Sequence, residues 1–217
     1  MIRLRVIPSA IDAGAIAPAV DALRQGRVVA FPTETFYGLA ADPRSARGVR
    51  AVFSVKGRAS DHPLPLIAAG LEQIADHVGT MTPLAARVAS RAWPGPLTLI
   101  IPASPRLCEH VHLATGKVAV RVPANPVARV LAEAAGHAIT STSANISGEP
   151  PASTPEQVAL AFGDRIDVLI DAGPTPGGLP STIVDVTGEA PVLVRAGAIA
   201  WERVLEFSMP AGRRATT

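Results

Sequence analysis

One cysteine, Cys108, stands in the 217 residues, so no intrachain disulfide can form and a cysteine-based metal centre would need other ligand types. The chain therefore reads as a protein of a reducing compartment. Aromatic residues supply only 4% of the sequence, which leaves the core to Ala, Val, Leu and Ile and offers little surface for stacking nucleic-acid bases. Net charge is low as well. A formal +2, from 20 basic against 18 acidic residues, favours anionic ligands only where it is focused in a cleft. No apolar run approaches the roughly 20 residues of a membrane-spanning helix, and MIRLRVIPSA has no sustained apolar stretch of the secretory kind. These absences predict a cytoplasmic protein with no membrane partner. There is no internal repeat, Walker A loop, dinucleotide-binding glycine fingerprint, nucleophile elbow or zinc-protease helix. Any nucleotide is bound by another design.

Lysine is nearly missing too: of the 20 basic residues only Lys56 and Lys117 are not arginine. Lys56, two residues before Arg58, marks a place where a compact ammonium beside a planar guanidinium suits a polyphosphate. The same pair at a helix C-terminus also complements the helix dipole. It falls within residues 28 to 64, the stretch around which the chain is organised. Val28 to Phe31 read as an apolar strand, Pro32 ends it, and Thr33, Glu34 and Thr35 sit at its terminus, where open α/β sheets receive their ligands. Asp42 is expected to cap a helix reaching Val55, with Val49, Val52 and Phe53 on its buried side.

The hydrophobic share of 48% is ample for a core. Helical spacing runs over residues 10 to 24, over Leu71 to His77, after Thr82, from Asn125 to Gly136, from the capping box Thr154 to Gln157 onward, and over Trp201 to Phe207. Apolar strands are expected at Leu64 to Ala68, Leu97 to Ile101, Val118 to Val122, Ala138 to Thr140, Asp167 to Asp171, Thr182 to Val186 and Val192 to Val194. The alternation predicts an α/β fold, a twisted mixed sheet covered by helices, forming one domain over residues 1–208 with a flexible tail at 209–217. His110 and His112 share a face if their segment is a strand, but no third ligand is near enough for a metal site. His77 and His137 read as surface residues.

Arg121 lies inside an apolar strand, and a buried guanidinium is costly unless an anion meets it. A ligand carboxylate and a protein Asp or Glu are both open as its partner. The stretch TSTSANISG, residues 140 to 148, places short hydroxyls and one amide directly after a strand, where they can line a phosphate site beside backbone N–H groups. GPTPGGLPS, residues 173 to 181, is long enough to cover a pocket, and Arg195 emerges at a strand end.

Lys56-x-Arg58, far ahead of Ser143-x-Asn145, has FPTETFYGL before it, RAWPGPLTLIIPA and VAVRVP between, and PSTIVDVTGEAPVLVRAGAI after. In order and spacing this resembles the YrdC-like family of threonylcarbamoyl-AMP synthases over about residues 10 to 200. The resemblance implies a YrdC-like fold with a basic concave pocket. It also implies condensation of L-threonine, bicarbonate or carbon dioxide, and ATP to L-threonylcarbamoyl-AMP and pyrophosphate, for threonylcarbamoyladenosine formation in tRNA. On that basis Lys56 and Arg58 are the catalytic cations on the phosphates. His62, Lys117, Ser143, Asn145 and Arg195 complete the ATP site, and Thr33, Thr35, Arg121, Ser141 and Ser181 form the threonine site. Arg121 would take the amino acid's carboxylate, and the hydroxyls its amine or side chain.

Magnesium is expected with ATP, without a recognisable carboxylate ligand, and a threonylcarbamoyl transferase is the expected protein partner, with tRNA or structured RNA a further contact. The chain departs from many family members at His62, where asparagine is usual, at Ile67, where histidine is usual, and at Lys117, where Ser or Thr is usual. Two other readings stand beside this one. A divergent RNA-binding member would need stacking surface that the composition withholds. A carbamoyl-transfer enzyme of the hydrogenase-maturation type would come with acylphosphatase and zinc-finger regions that this sequence lacks.

Overall fold

The computed structural model describes residues 1–57 and 62–210. In chain order its elements are β1 (Ile2–Arg5), α1 (Ala17–Arg24), β2 (Val29–Pro32), β3 (Tyr37–Ala40), α2 (Ala46–Lys56), β4 (Leu66–Ile67), α3 (Leu71–His77), α4 (Pro83–Ala92), β5 (Leu97–Pro102) and α5 (Glu109–His112). There follow β6 (Lys117–Arg121), α6 (Pro126–Ala135), β7 (Ile139–Thr140), β8 (Thr142–Ser143), α7 (Pro155–Phe162), β9 (Val168–Asp171), β10 (Thr182–Asp185), β11 (Val192–Arg195) and α8 (Trp201–Ser208). The α/β class is as expected, but the strands divide into two mixed sheets. Among the described residues one has five strands in the order β1, β9, β2, β3, β8, and the other six in the order β11, β10, β5, β6, β4, β7.

The division is made at Ser141. Thr140 in β7 is registered with Leu66 of β4 in the six-stranded sheet. Its N–H donates to the Ala41 carbonyl at 3.0 Å, and its Oγ1 accepts from the Ala41 N–H at 2.8 Å, just past the end of β3. Two residues on, Thr142 is registered with Leu39 of β3 in the five-stranded sheet. The single strand expected after Ala138 is thus two short ones, because their backbones satisfy different partners. Ser141 stands at the join.

Side chains of β2 alternate across its sheet. Val29 and Phe31 pack with Leu23 of α1 and Leu131 of α6, while Ala30 packs with Phe53 of α2 and Leu169 of β9. Both faces are covered, which explains why Val28 to Phe31 is a continuous apolar run.

Several local expectations change. α1 begins at Ala17, with Pro18 in the first turn, where the missing N–H costs nothing; residues Pro8–Ala10 form a separate 3₁₀ turn. Ser45 caps α2, accepting from the Gly48 N–H at 3.2 Å, because the Asp42 carboxylate is occupied by the Arg44 side chain and N–H. His110 and His112 lie on the short helix α5, so they do not share a strand face. His137 is buried at 4% exposure, not a surface residue. The caps at Thr82 and Asn125 and the capping box of Thr154 with Gln157 are present. Arg58 lies outside the described residues, as do 211–217 of the expected tail.

Candidate functional site

A cleft of about 610 Å³ lies between the two sheets, with the chain crossing from one to the other at its rim. That volume sits within the roughly 300–1,000 Å³ usual for small-molecule sites. Thr33, Thr35 and Gly38 line one wall, Ser141 and Ser143 the rim, and Thr98, Arg121, Ser181 and Arg195 the floor. Seven of the predicted site residues therefore meet in one cavity, although they come from five separate stretches of chain.

The β2–β3 turn is held by its own hydroxyls. Thr33 Oγ1 donates to the Phe36 carbonyl at 2.7 Å and lies 3.1 Å from Thr35 Oγ1, while Thr33 N–H also reaches the Phe36 carbonyl. The loop following β9 is latched onto this turn. Gly177 N–H donates to the Thr35 carbonyl at 2.7 Å, and the Tyr37 hydroxyl donates to the Gly173 carbonyl at 2.7 Å. Burial pushes the Tyr37 phenol up to about 12, so it stays a neutral donor at physiological pH. The loop's far end, Gly178 to Ser181, closes one side of the cleft.

Lys56 ends α2, and Gly57 turns the chain in the left-handed region at φ 60°. Lys56 is buried at 2% exposure. Its Nζ donates to the Ser143 carbonyl at 2.6 Å, the Asn145 carbonyl at 3.0 Å and Asn145 Oδ1 at 3.0 Å. Asn145 in turn donates from Nδ2 to the Ile146 and Glu149 carbonyls. Lys56 and Asn145 therefore act first on the turn that carries Ser143. Ser143 itself is exposed and faces the cleft, its Oγ donating to Asn145 Oδ1 at 2.6 Å.

Register explains the floor. Ile183 is paired with both Arg195 and Thr98, and Leu99 with Val120, so Arg195, Ile183, Thr98 and Arg121 form one row across a single face of the six-stranded sheet. Among the described residues, the charged side chains lining the cleft are the two arginines of that row. Arg121, 8% exposed, pairs through Nη1 with Glu34 Oε1. Burial lowers its pKa, the Glu34 charge opposes this, and Arg195 adds to the lowering. Arg195 donates from Nε and Nη2 to the Ser181 carbonyl at 3.2 and 2.8 Å and from Nη2 to Ser181 Oγ at 3.1 Å. Ser181 Oγ also lies 2.9 Å from Thr98 Oγ1. Arg195 is solvent-accessible yet set on a concave floor, and partial desolvation lowers its pKa as well.

Four of the described sequence-predicted residues, Lys56, His62, Lys117 and Asn145, are not in the cleft lining. His62 is exposed beside it, and Asn145 lies behind Ser143. Lys117 is on the floor's face, since residues 117, 119 and 121 alternate together, but four residues along the strand from Arg121. Its Nζ pairs with Asp185 at 2.8 Å, and this partner with Thr187 holds the Asp185 carboxyl below its ordinary range against the opposing effect of burial. Glu34 and Thr98 went unassigned from sequence. Glu34 was findable, because a buried Arg121 requires a carboxylate and Glu34 sits between two site threonines. Thr98, one hydroxyl in the apolar run Leu97 to Ile101, gave no signal.

Residues 21–197 match the Sua5/YciO/YrdC family model, described as telomere recombination. A threonylcarbamoyl-AMP synthase of Bacillus subtilis is 40% identical over 190 residues, 87% of this chain and 55% of the relative. One from Halorhodospira halophila is 43% identical over 152 residues, 70% of this chain and 80% of the relative. The structure of Pyrococcus abyssi Sua5 complexed with L-threonine superposes with a TM-score of 0.87 at 37% identity, over 95% of this chain and 60% of that one. The chain thus spans little more than half the length of the Bacillus relative. A family match over most of the sequence, and a shared fold that builds the cleft, establish that the chain belongs to the Sua5/YciO/YrdC family.

Proposed function

We propose that the chain is an L-threonylcarbamoyladenylate synthase, joining L-threonine, bicarbonate or carbon dioxide and ATP into threonylcarbamoyl-AMP and releasing pyrophosphate. The observation that carries the reading is the floor row, in which two arginines of different electrostatic setting flank Ile183 and Thr98 within one cavity. Threonylcarbamoyl-AMP synthases similar over most of this chain, and a fold shared with a Sua5 complexed with L-threonine, support it.

The reaction brings anions together, so the protein's work is charge neutralisation and alignment; no nucleophilic side chain is required. In this reading Arg121 receives threonine's carboxylate, with Thr33, Thr35 and Ser141 around the rest of the amino acid. Arg195, whose charge has no carboxylate partner among the described residues, holds phosphate oxygens together with Ser143. Lys56 keeps the Ser143 turn in place and contributes positive potential behind it. Arg58 is retained as a phosphate ligand by similarity to the family motif. Magnesium enters as the counter-ion of ATP: among the described residues no cluster of His, Cys, Asp or Glu is suited to a resident ion. Transfer of the product to tRNA falls to a threonylcarbamoyl transferase partner.

The test is incubation of the purified chain with ATP, magnesium, bicarbonate and L-threonine, following pyrophosphate and the labile adenylate while each substrate is omitted in turn. Product that requires all of them is the expected result. ATP binding without threonine-dependent turnover would sink the assignment.

A further inference from the structure

The loop that closes one side of the cleft is held from outside itself. Residues 172–181 form neither helix nor strand, and Gly173 and Gly177 sit at φ 77° and 70°, where the glycine backbone has many alternatives. Three N–H groups of the loop find anchors beyond it. Gly173 donates to Asp171 Oδ1 at 3.0 Å, Thr175 to the Ser153 carbonyl at 2.8 Å and Gly177 to the Thr35 carbonyl at 2.7 Å. Past the last of these, Gly178, Pro180 and Ser181 line the cleft, and Ser181 reaches Thr98 and Arg195.

Gly173 is the anchor gripped through both of its backbone groups, its N–H by Asp171 and its carbonyl by the Tyr37 hydroxyl at 2.7 Å. The carboxylate is itself set in place. Asp171, 9% exposed at the end of β9, accepts from Arg3 Nε on Oδ2 at 2.8 Å, which leaves Oδ1 turned to the loop. Arg3 also pairs with Glu156 of α7, so strand β1 and helix α7 together orient one carboxylate. β1 lies ahead of residues 21–197, the span matched by the family model. This is more than an ion pair at a sheet end, because one oxygen of it is committed to a backbone donor two residues along the chain.

We propose that Asp171 is a positioning residue for the cleft, oriented by Arg3 and acting through Gly173 on the wall that carries Ser181. Released from Asp171, Gly173 keeps only its bond from Tyr37, and the loop beyond it samples courses in which Ser181 no longer meets Thr98 and Arg195. The kinetic consequence rests on the synthase reading above. The anchoring does not, and is measurable without turnover.

Amide exchange followed by NMR on the full chain, with adenylate synthesis measured in parallel, tests this. In Asp171→Ala the Thr175 and Gly177 amides, whose own acceptors are untouched, should exchange at least about tenfold faster, the scale of one lost hydrogen bond to a charged group. The amides of β5 and β6 should keep their rates. Synthesis should fall about tenfold or more at a temperature where the variant is fully folded. Asp171→Asn combined with Arg3→Gln should restore both readouts, since an amide oxygen again faces Gly173 and the glutamine amide stands where Arg3 Nε stood. Acceleration spread through β5 and β6 would mean a merely structural role and overturns the proposal, as do unchanged Thr175 and Gly177 rates or full synthesis from a released loop. Should Asp171→Ala fail to fold, Tyr37→Phe frees the Gly173 carbonyl instead and must speed the same two amides; wild-type exchange there is equally fatal. A chain that shows the expected exchange but makes no adenylate even as wild type would overturn the synthase reading and leave the anchoring by Asp171 standing.

Discussion

Lys56 Nζ lies 2.6 Å from the backbone carbonyl oxygen of Ser143, 87 residues away, and the Lys56 carbonyl accepts from Ser147 N–H at 3.0 Å. Side chain and backbone of one residue thus fasten both ends of the hydroxyl-bearing turn. An ammonium has three donors, and three acceptors of that turn meet it.

Lys56→Met should therefore act on stability as well as on activity. Leaving buried acceptors of a charged donor unsatisfied costs about 1–3 kcal/mol each, so a loss of roughly 2 kcal/mol or more is expected by urea denaturation. Adenylate formation should fall further than stability alone accounts for. Wild-type stability in this variant would show that the turn stands without its lysine.

Arg195→Ala separates the two halves of the floor. Loss of a charge-assisted contact is worth about 10- to 100-fold in affinity, and the change should appear in the KM for ATP. The KM for threonine should move less, because Ser181 retains Thr98 as a partner. A threonine effect larger than the ATP effect would reverse the assignment of the two arginines.

Much of this could be read from the chain itself, and the reasons for the remainder are physical. Thr33, Thr35 and Ser141 were legible because they follow apolar strands directly, and strand ends open onto the cleft. The partners of Lys56 were not, since two of its acceptors are backbone carbonyls, which every residue has. The break at Ser141 was hidden for a similar reason: which sheet a two-residue strand joins depends on distant backbone groups at Pro65 and Ala41. His137 follows the helix-ending Gly136 and looked solvated, yet the chain turns inward there toward Asp42. In each case local pattern gave the element and long-range pairing decided its surroundings.

Gly197 supports the cleft from behind. A Cβ there would stand 2.3 Å from the Pro180 carbonyl oxygen and 2.6 Å from the Ser181 carbonyl carbon, both backbone atoms. Gly197→Ala must push the Pro180–Ser181 segment, at an overpacking cost of about 1–3 kcal/mol, and displace Ser181 from Thr98 and Arg195. Turnover should drop well beyond the loss of stability. Gly188→Ala, where nothing lies within 4 Å, is the control and should behave as wild type. Equal behaviour of the two variants would mean that this segment's position does not matter to the reaction.

His137 predicts how the fold responds to acid. Its Nδ1 lies 2.7 Å from the Ala138 carbonyl and its Nε2 3.5 Å from Asp42. Burial lowers the imidazole's pKa from its ordinary 6.5; the Ala138 carbonyl and the Asp42 charge oppose that, while Arg44 and His77 add to it. Asp42, although raised by burial, is held low by Arg44 and so stays charged in this range. The unfolded chain therefore binds the His137 proton more readily than the folded one. Stability from this residue is present above pH 6.5 and is lost as pH falls from there toward the lowered folded value, at about 1.4 kcal/mol per tenfold difference in proton affinity. Urea midpoints at about pH 7.5 and about pH 5.5, on either side of an ordinary histidine pKa, should differ for wild type and differ less for His137→Gln, which cannot take up the proton. An identical acid response in the variant would place the sensitivity elsewhere.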